Sequence, residues 1–133
     1  MTRPTFLMAE PEAPENISAR KLVLETAKFN VITAYTAKEC LELIEKFPQI
    51  EAVILHSALN GGPCDKTVAQ IKESRPGMQV IVLAATDGFR CKNADDLLTS
   101  HDPQALLNLL RSKFGDPREA QPARRKATQD KAG

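Results

Sequence analysis

Ala52-Val53-Ile54-Leu55 and Val80-Ile81-Val82-Leu83 are unbroken apolar runs, rich in β-branched side chains, with no polar residue at alternate positions. A strand with one solvated face alternates apolar with polar, so continuous runs of this kind predict strands covered on both faces, as in a parallel sheet. Phe6-Leu7-Met8 and Val31-Ile32-Thr33-Ala34 repeat the pattern upstream, and Leu97-Leu98 is a weaker fifth candidate downstream.

The segments between the runs carry helical spacing. Ala19, Leu22, Val23 and Ala27 fall at i, i+3, i+4 and i+8, and Ala37, Cys40, Leu41 and Ile44 at i, i+3, i+4 and i+7, so each set forms one apolar stripe. Thr36 precedes Glu39 by three residues, the spacing of a capping box, and Pro48 stops that second helix after Phe47. Cys64, Val68 and Ile71 mark a shorter third helix. Asp102-Pro103 supplies an N-cap and a proline at the first helical position, Leu106, Leu109, Leu110 and Phe114 line one face, and Gly115 ends the helix.

Strands alternating with helices predict an α/β domain over residues 4–115, with a five-stranded, doubly wound parallel sheet of flavodoxin-like order. The alternation weakens once. Only the eleven residues 84–94 separate the fourth run from Asp95-Asp96, whereas a crossover containing a full helix needs about a dozen or more, so the fourth helix is expected to be shortened or absent. Phe89 in that stretch is expected to plug the sheet where helix packing is lost. From Asp116 onward apolar periodicity stops and Pro, Ala, Gln and charges dominate, which predicts a disordered tail over 116–133.

Bulk properties exclude several function classes. A chain of 133 residues with 42% apolar and 26% charged side chains has the composition of one ordinary globular domain. Eighteen basic against seventeen acidic residues leave a net charge of +1, too little to attract nucleic acid or anionic lipid generally, and Arg124-Arg125-Lys126 lie close to Asp130. The N-terminal apolar run is too short for a signal peptide or a membrane span, so a cytoplasmic protein is expected. Cys40, Cys64 and Cys91 are odd in number, 24 and 27 residues apart, and fit neither a disulfide framework nor paired zinc spacing; reduced, structural thiols are expected. Gly61-Gly62-Pro63 lacks the lysine of a phosphate-binding loop, and two histidines without a nucleophile-elbow motif support no hydrolytic site, so no enzyme and no cofactor are expected.

Glu10-Pro11-Glu12 after the first run, Val53-Ile54-Leu55-His56 at the third, and Ala94-Asp95-Asp96-Leu97-Leu98-Thr99 before the last helix resemble response-regulator receiver domains over residues 5–114. The resemblance implies a chemotaxis-receiver-like fold and a two-component signalling role. It also implies a phosphorylation site: an acidic pair after the first strand, an acceptor aspartate ending the third, a hydroxyl ending the fourth, and a lysine and proline after the fifth. Matching positions here hold Ala9 and Glu10, His56, Ala84, and Ser100 with His101, while Asn60 replaces a proline four residues beyond the acceptor.

These replacements remove the chemistry that aspartyl phosphorylation needs. Magnesium takes oxygen ligands, and the phosphoryl group in transfer needs metal and ammonium charge around it. Glu10 alone cannot hold that metal, Ala84 has no hydroxyl, and Ser100 no charge. The expected function is therefore a phosphorylation-independent module that docks a protein partner, with the family's pairing through the fourth and fifth helices weakened. Alternatives stay open: phosphoryl acceptance by His56 or Ser57, a metal site of Glu10, His56 and His101, kinase modification of Ser57 or Ser100, and a reactive Cys64 at a helix start.

Overall fold

The central apolar runs become strands because neighbours on both sides remove their backbone groups from water while helices cover both of their faces. In the computed structural model, which describes residues 4–11, 19–59, 63–84, 88–99 and 102–115, the elements are β1 (Thr5–Ala9), α1 (Ala19–Thr26), β2 (Asn30–Ala34), α2 (Ala37–Lys46), β3 (Ile50–His56), α3 (Cys64–Ser74), β4 (Gln79–Leu83), β5 (Asp96–Leu98) and α4 (Pro103–Phe114). All four strand pairings are parallel, in the order β2-β1-β3-β4-β5. That is the expected flavodoxin-like order.

Alternate residues of the same strands feed two cores. Leu7, Val53, Leu55, Val80 and Val82 pack with Cys40 and Ile44 of α2 and with Val68 and Ile71 of α3. Phe6, Met8, Ile54, Ile81 and Leu83 face the other way, onto Leu24 of α1 and Leu106 and Leu110 of α4. On that second face the Phe6 ring lies 5.0 Å from Phe29 and 5.2 Å from Phe114.

The helix signals read from the sequence are visible as bonds. Thr36 accepts from the Glu39 amide at 3.1 Å, and Glu39 Oε1 accepts in return from the Tyr35 amide at 2.7 Å, one residue earlier than the standard box. Asp102 Oδ1 accepts from the Gln104 amide at 3.0 Å, Pro103 opens α4, and Gly115 closes it at φ 84°. Between β4 and β5 none of the described residues is helical, and Phe89, Cys91 and Ala94 cover the Val80 and Val82 face instead. The tail, Ser100, His101, Asn60, Gly61 and Gly62 lie outside the described residues.

Three expectations need correction. The packed stripe of α1 does not include Leu22, which is 55% exposed, whereas Leu24 is fully buried. The cause is the helix end: the Phe29 amide bonds back to Leu24 O at 3.1 Å and the Lys28 amide to Glu25 O at 2.9 Å, with Lys28 left-handed at φ 75°. This Schellman arrangement brings Phe29 onto Leu24 and turns the stripe toward it. The third helix, at eleven residues, is longer than α1 with eight and α2 with ten. Finally, Cys64 and Cys91 are not reduced thiols but a disulfide with Cα atoms 5.7 Å apart, leaving only Cys40 free and buried. Cysteine spacing gave no hint, because the contact comes from packing: no described residue between β4 and β5 is helical, and the Cys91 segment lies against the start of α3.

Candidate functional site

The carboxyl edge of the sheet is assembled by backbone bonds that continue one residue past β1, β3 and β4. Glu10 N donates to Ala34 O at 3.0 Å, Ser57 N to Leu83 O at 2.9 Å, and Ala84 N to Leu98 O at 2.8 Å. Neighbouring strands lie about 4.8 Å apart, so Glu10, His56 and Ala84 occupy consecutive positions along one rim. Ala9 itself belongs to β1, fully buried and in register with Ala34 and Leu55, so the two residues that follow the strand are Glu10 and Pro11.

The rim is poor in charge. Among the described residues that directly follow a strand, namely Glu10, Tyr35, Ser57, Ala84 and Thr99, only Glu10 has a carboxyl group and none is basic, and Glu10 is 8% exposed. Ala84, at the hydroxyl position of the resemblance, is 4% exposed and offers a methyl group. Ser100 and His101, which the sequence places beside this rim, fall outside the described residues, as does any metal site that includes His101. Among the described residues no three His, Cys, Asp or Glu side chains gather as metal ligands.

His56 ends β3 in register with Leu83 and is half-buried. Its Nδ1 accepts from the Ala58 amide at 3.0 Å, and the Leu59 amide bonds to His56 O at 3.1 Å. With Nδ1 so engaged, the neutral ring carries its proton on Nε2, and the imidazole closes the first turn of the loop leaving the strand. The side chain thus does the local structural job that an Asx turn does elsewhere.

Sequence reasoning missed two features around this edge. Cys91 was not connected with Cys64, because their 27-residue separation carries no signal of the bond. Tyr35, 41% exposed beside the Ala34 to Glu10 contact, sits in an ordinary-looking Ala-Tyr-Thr stretch with no pattern to flag it.

No protein-family model and no curated relative matches the chain. Solved structures do. A CheY-like response regulator receiver domain protein from Methanospirillum hungatei superposes with a TM-score of 0.71 at 20% identity, over 90% of this chain and 99% of that one. The chain has the receiver-domain fold. A receiver domain from Clostridium thermocellum gives 0.69 at 20% identity over 89% and 98% of the two chains. The structure of a CheX-CheY-BeF3-magnesium complex from Borrelia burgdorferi gives 0.68 at 20% identity over 84% and 89%. Among the described residues of this receiver-like chain, no helix is long and apolar enough to cross a membrane.

Proposed function

We propose that the chain is a receiver-like signal-transduction module of two-component type that works without aspartyl phosphorylation and docks a protein partner in one standing conformation. It is not an enzyme, takes no cofactor, acts in the cytoplasm, and binds neither nucleic acid nor membrane. The observation that carries this reading is His56 at the strand end where receiver domains keep their acceptor aspartate, its Nδ1 already engaged by the Ala58 amide. Beside it Ala84 has no hydroxyl to offer a phosphoryl oxygen, and Glu10 supplies one carboxylate where a metal site needs several oxygens.

A switch of the receiver kind shifts a two-state equilibrium by differential contacts to the phosphoryl group. Without those contacts the docking surface is permanently presented, and control passes to partner supply or to another modification. The Borrelia relative in fold is recorded in complex with a protein, CheX, which makes a protein partner the natural class.

The test is incubation with a small-molecule phosphodonor and magnesium, followed by intact-mass spectrometry of the wild type and a His56→Ala variant. No added phosphoryl mass is expected in either. An adduct present in the wild type and lost in the variant overturns the proposal and makes His56 Nε2 the acceptor.

A further inference from the structure

The Cys64–Cys91 disulfide ties a loop to a helix in the β4–β5 crossover, where none of the described residues is helical. Residues 88–95 form a strap over the Val80 and Val82 face, with Phe89, Cys91 and Ala94 half-buried against it. Besides the disulfide, four polar ties hold the strap: Lys92 N to Asp65 Oδ1 at 2.6 Å, Asp95 Oδ2 to the Lys72 ammonium at 2.6 Å, the same oxygen to Val80 N at 2.7 Å, and Asp95 N to Val80 O at 2.9 Å. Asp65 and Lys72 lie on α3 and Val80 on β4, so these hydrogen bonds run to that helix or to the adjoining strand.

We propose that Cys64–Cys91 is a reversible redox site, at which reduction by a dithiol releases the strap from α3 and opens the apolar sheet face beneath it while the domain stays folded. Both cysteines are half-buried rather than enclosed, so a dithiol reaches the bond. Cys64 is the first residue of α3, where the aligned amide dipoles favour a departing thiolate. The buried members of both cores come from outside the strap: Leu7 and Phe6 from β1, Val53 from β3, Ile71 from α3, Ile81 from β4 and Leu110 from α4, with Phe89, Cys91 and Ala94 only partly buried against the first core.

The exchange balances in two steps. A reductant thiolate attacks Cys91 Sγ, the S–S bond breaks, and Cys64 leaves as a thiolate that takes a proton. The reductant's second thiol then displaces Cys91, so two electrons and two protons pass from the dithiol to the protein and the dithiol leaves as a disulfide. Cys40 takes no part, because burial pushes its thiol up to about 12 and closes it to solvent.

The test treats the oxidised full chain with dithiothreitol at neutral pH without denaturant, then follows native alkylation by mass and amide hydrogen exchange by segment. Two alkyl groups are expected natively, with a third only after unfolding. Amides in 88–95, Lys92 foremost, are expected to exchange at least tenfold faster after reduction and to recover on reoxidation, with β1 and β3 unchanged. A bond that survives until denaturant is added, equal acceleration in β1 and β3, or an unchanged strap each overturns the proposal. A Cys91→Ser variant is expected to show the fast strap with or without reductant; slow exchange in that variant overturns it as well, and if the variant does not fold, the wild-type reduction still decides.

Discussion

Asp95 Oδ2 lies 2.6 Å from the Lys72 ammonium, so a carboxylate just ahead of β5 is held from the last turns of α3. Desolvation pushes the Asp95 carboxyl up, but the Lys72 bond, the Val80 amide and the Lys72 and Lys113 charges outweigh it and leave it below its ordinary value of 3.8. A carboxyl depressed in the folded state contributes stability that is fully present above the unfolded value and lost as pH falls through the folded one. Solvent reaches the pair, which limits the effect to about 1 kcal/mol or less. Urea midpoints are expected to fall between pH 4 and the more acid range in the wild type, and an Asp95→Asn variant is expected to lose this component of the fall.

Leu24→Ala and Leu22→Ala are expected to differ sharply although both side chains are leucines on the same short helix. Leu24 is fully enclosed with Phe29, so its truncation is expected to cost about 2–5 kcal/mol. Leu22, 55% exposed, is expected to stay within about 0.5 kcal/mol of the wild type. Chemical denaturation of the two variants side by side measures the contrast.

Lys28 adopts φ 75°, a conformation that costs an L residue about 1–2 kcal/mol. Lys28→Gly removes that cost but adds about 0.5–1 kcal/mol of backbone entropy to the unfolded chain. A net gain of a few tenths to about 1 kcal/mol is expected, read as a rise in the thermal midpoint. A fall would mean that the Lys28 side chain itself stabilises the turn.

What the sequence disclosed followed how local each cause is. Continuous apolar runs report burial on both faces directly, so β1 to β4 and their parallel order were readable, and Asp102-Pro103 and Thr36 announced helix starts through bonds only a few residues long. That the fourth crossover helix is shortened or absent was readable from chain length, and none of the described residues there is helical. The α1 face was not, because the Schellman closure at Lys28 bends the chain just where the repeat of Leu22 and Ala27 was being extended. The Cys64 to Cys91 contact joins segments 27 residues apart through tertiary packing alone, and no spacing rule encodes it. At the candidate site the residue types at Glu10, His56 and Ala84 were legible by resemblance, whereas the bond from the Ala58 amide that occupies the His56 ring needed coordinates.

The disulfide also makes a covalent ring that contains all of α3 and β4. When the domain is pulled by its ends, the 27 residue steps between the two cysteines are shielded from tension, which withholds roughly 90 Å of the extension an unbridged chain would reach at about 3.3–3.6 Å per residue. The oxidised protein is thus a mechanically shorter tether than the reduced one, and the oxidation state of one pair of sulfurs sets how far the chain can be drawn out under load.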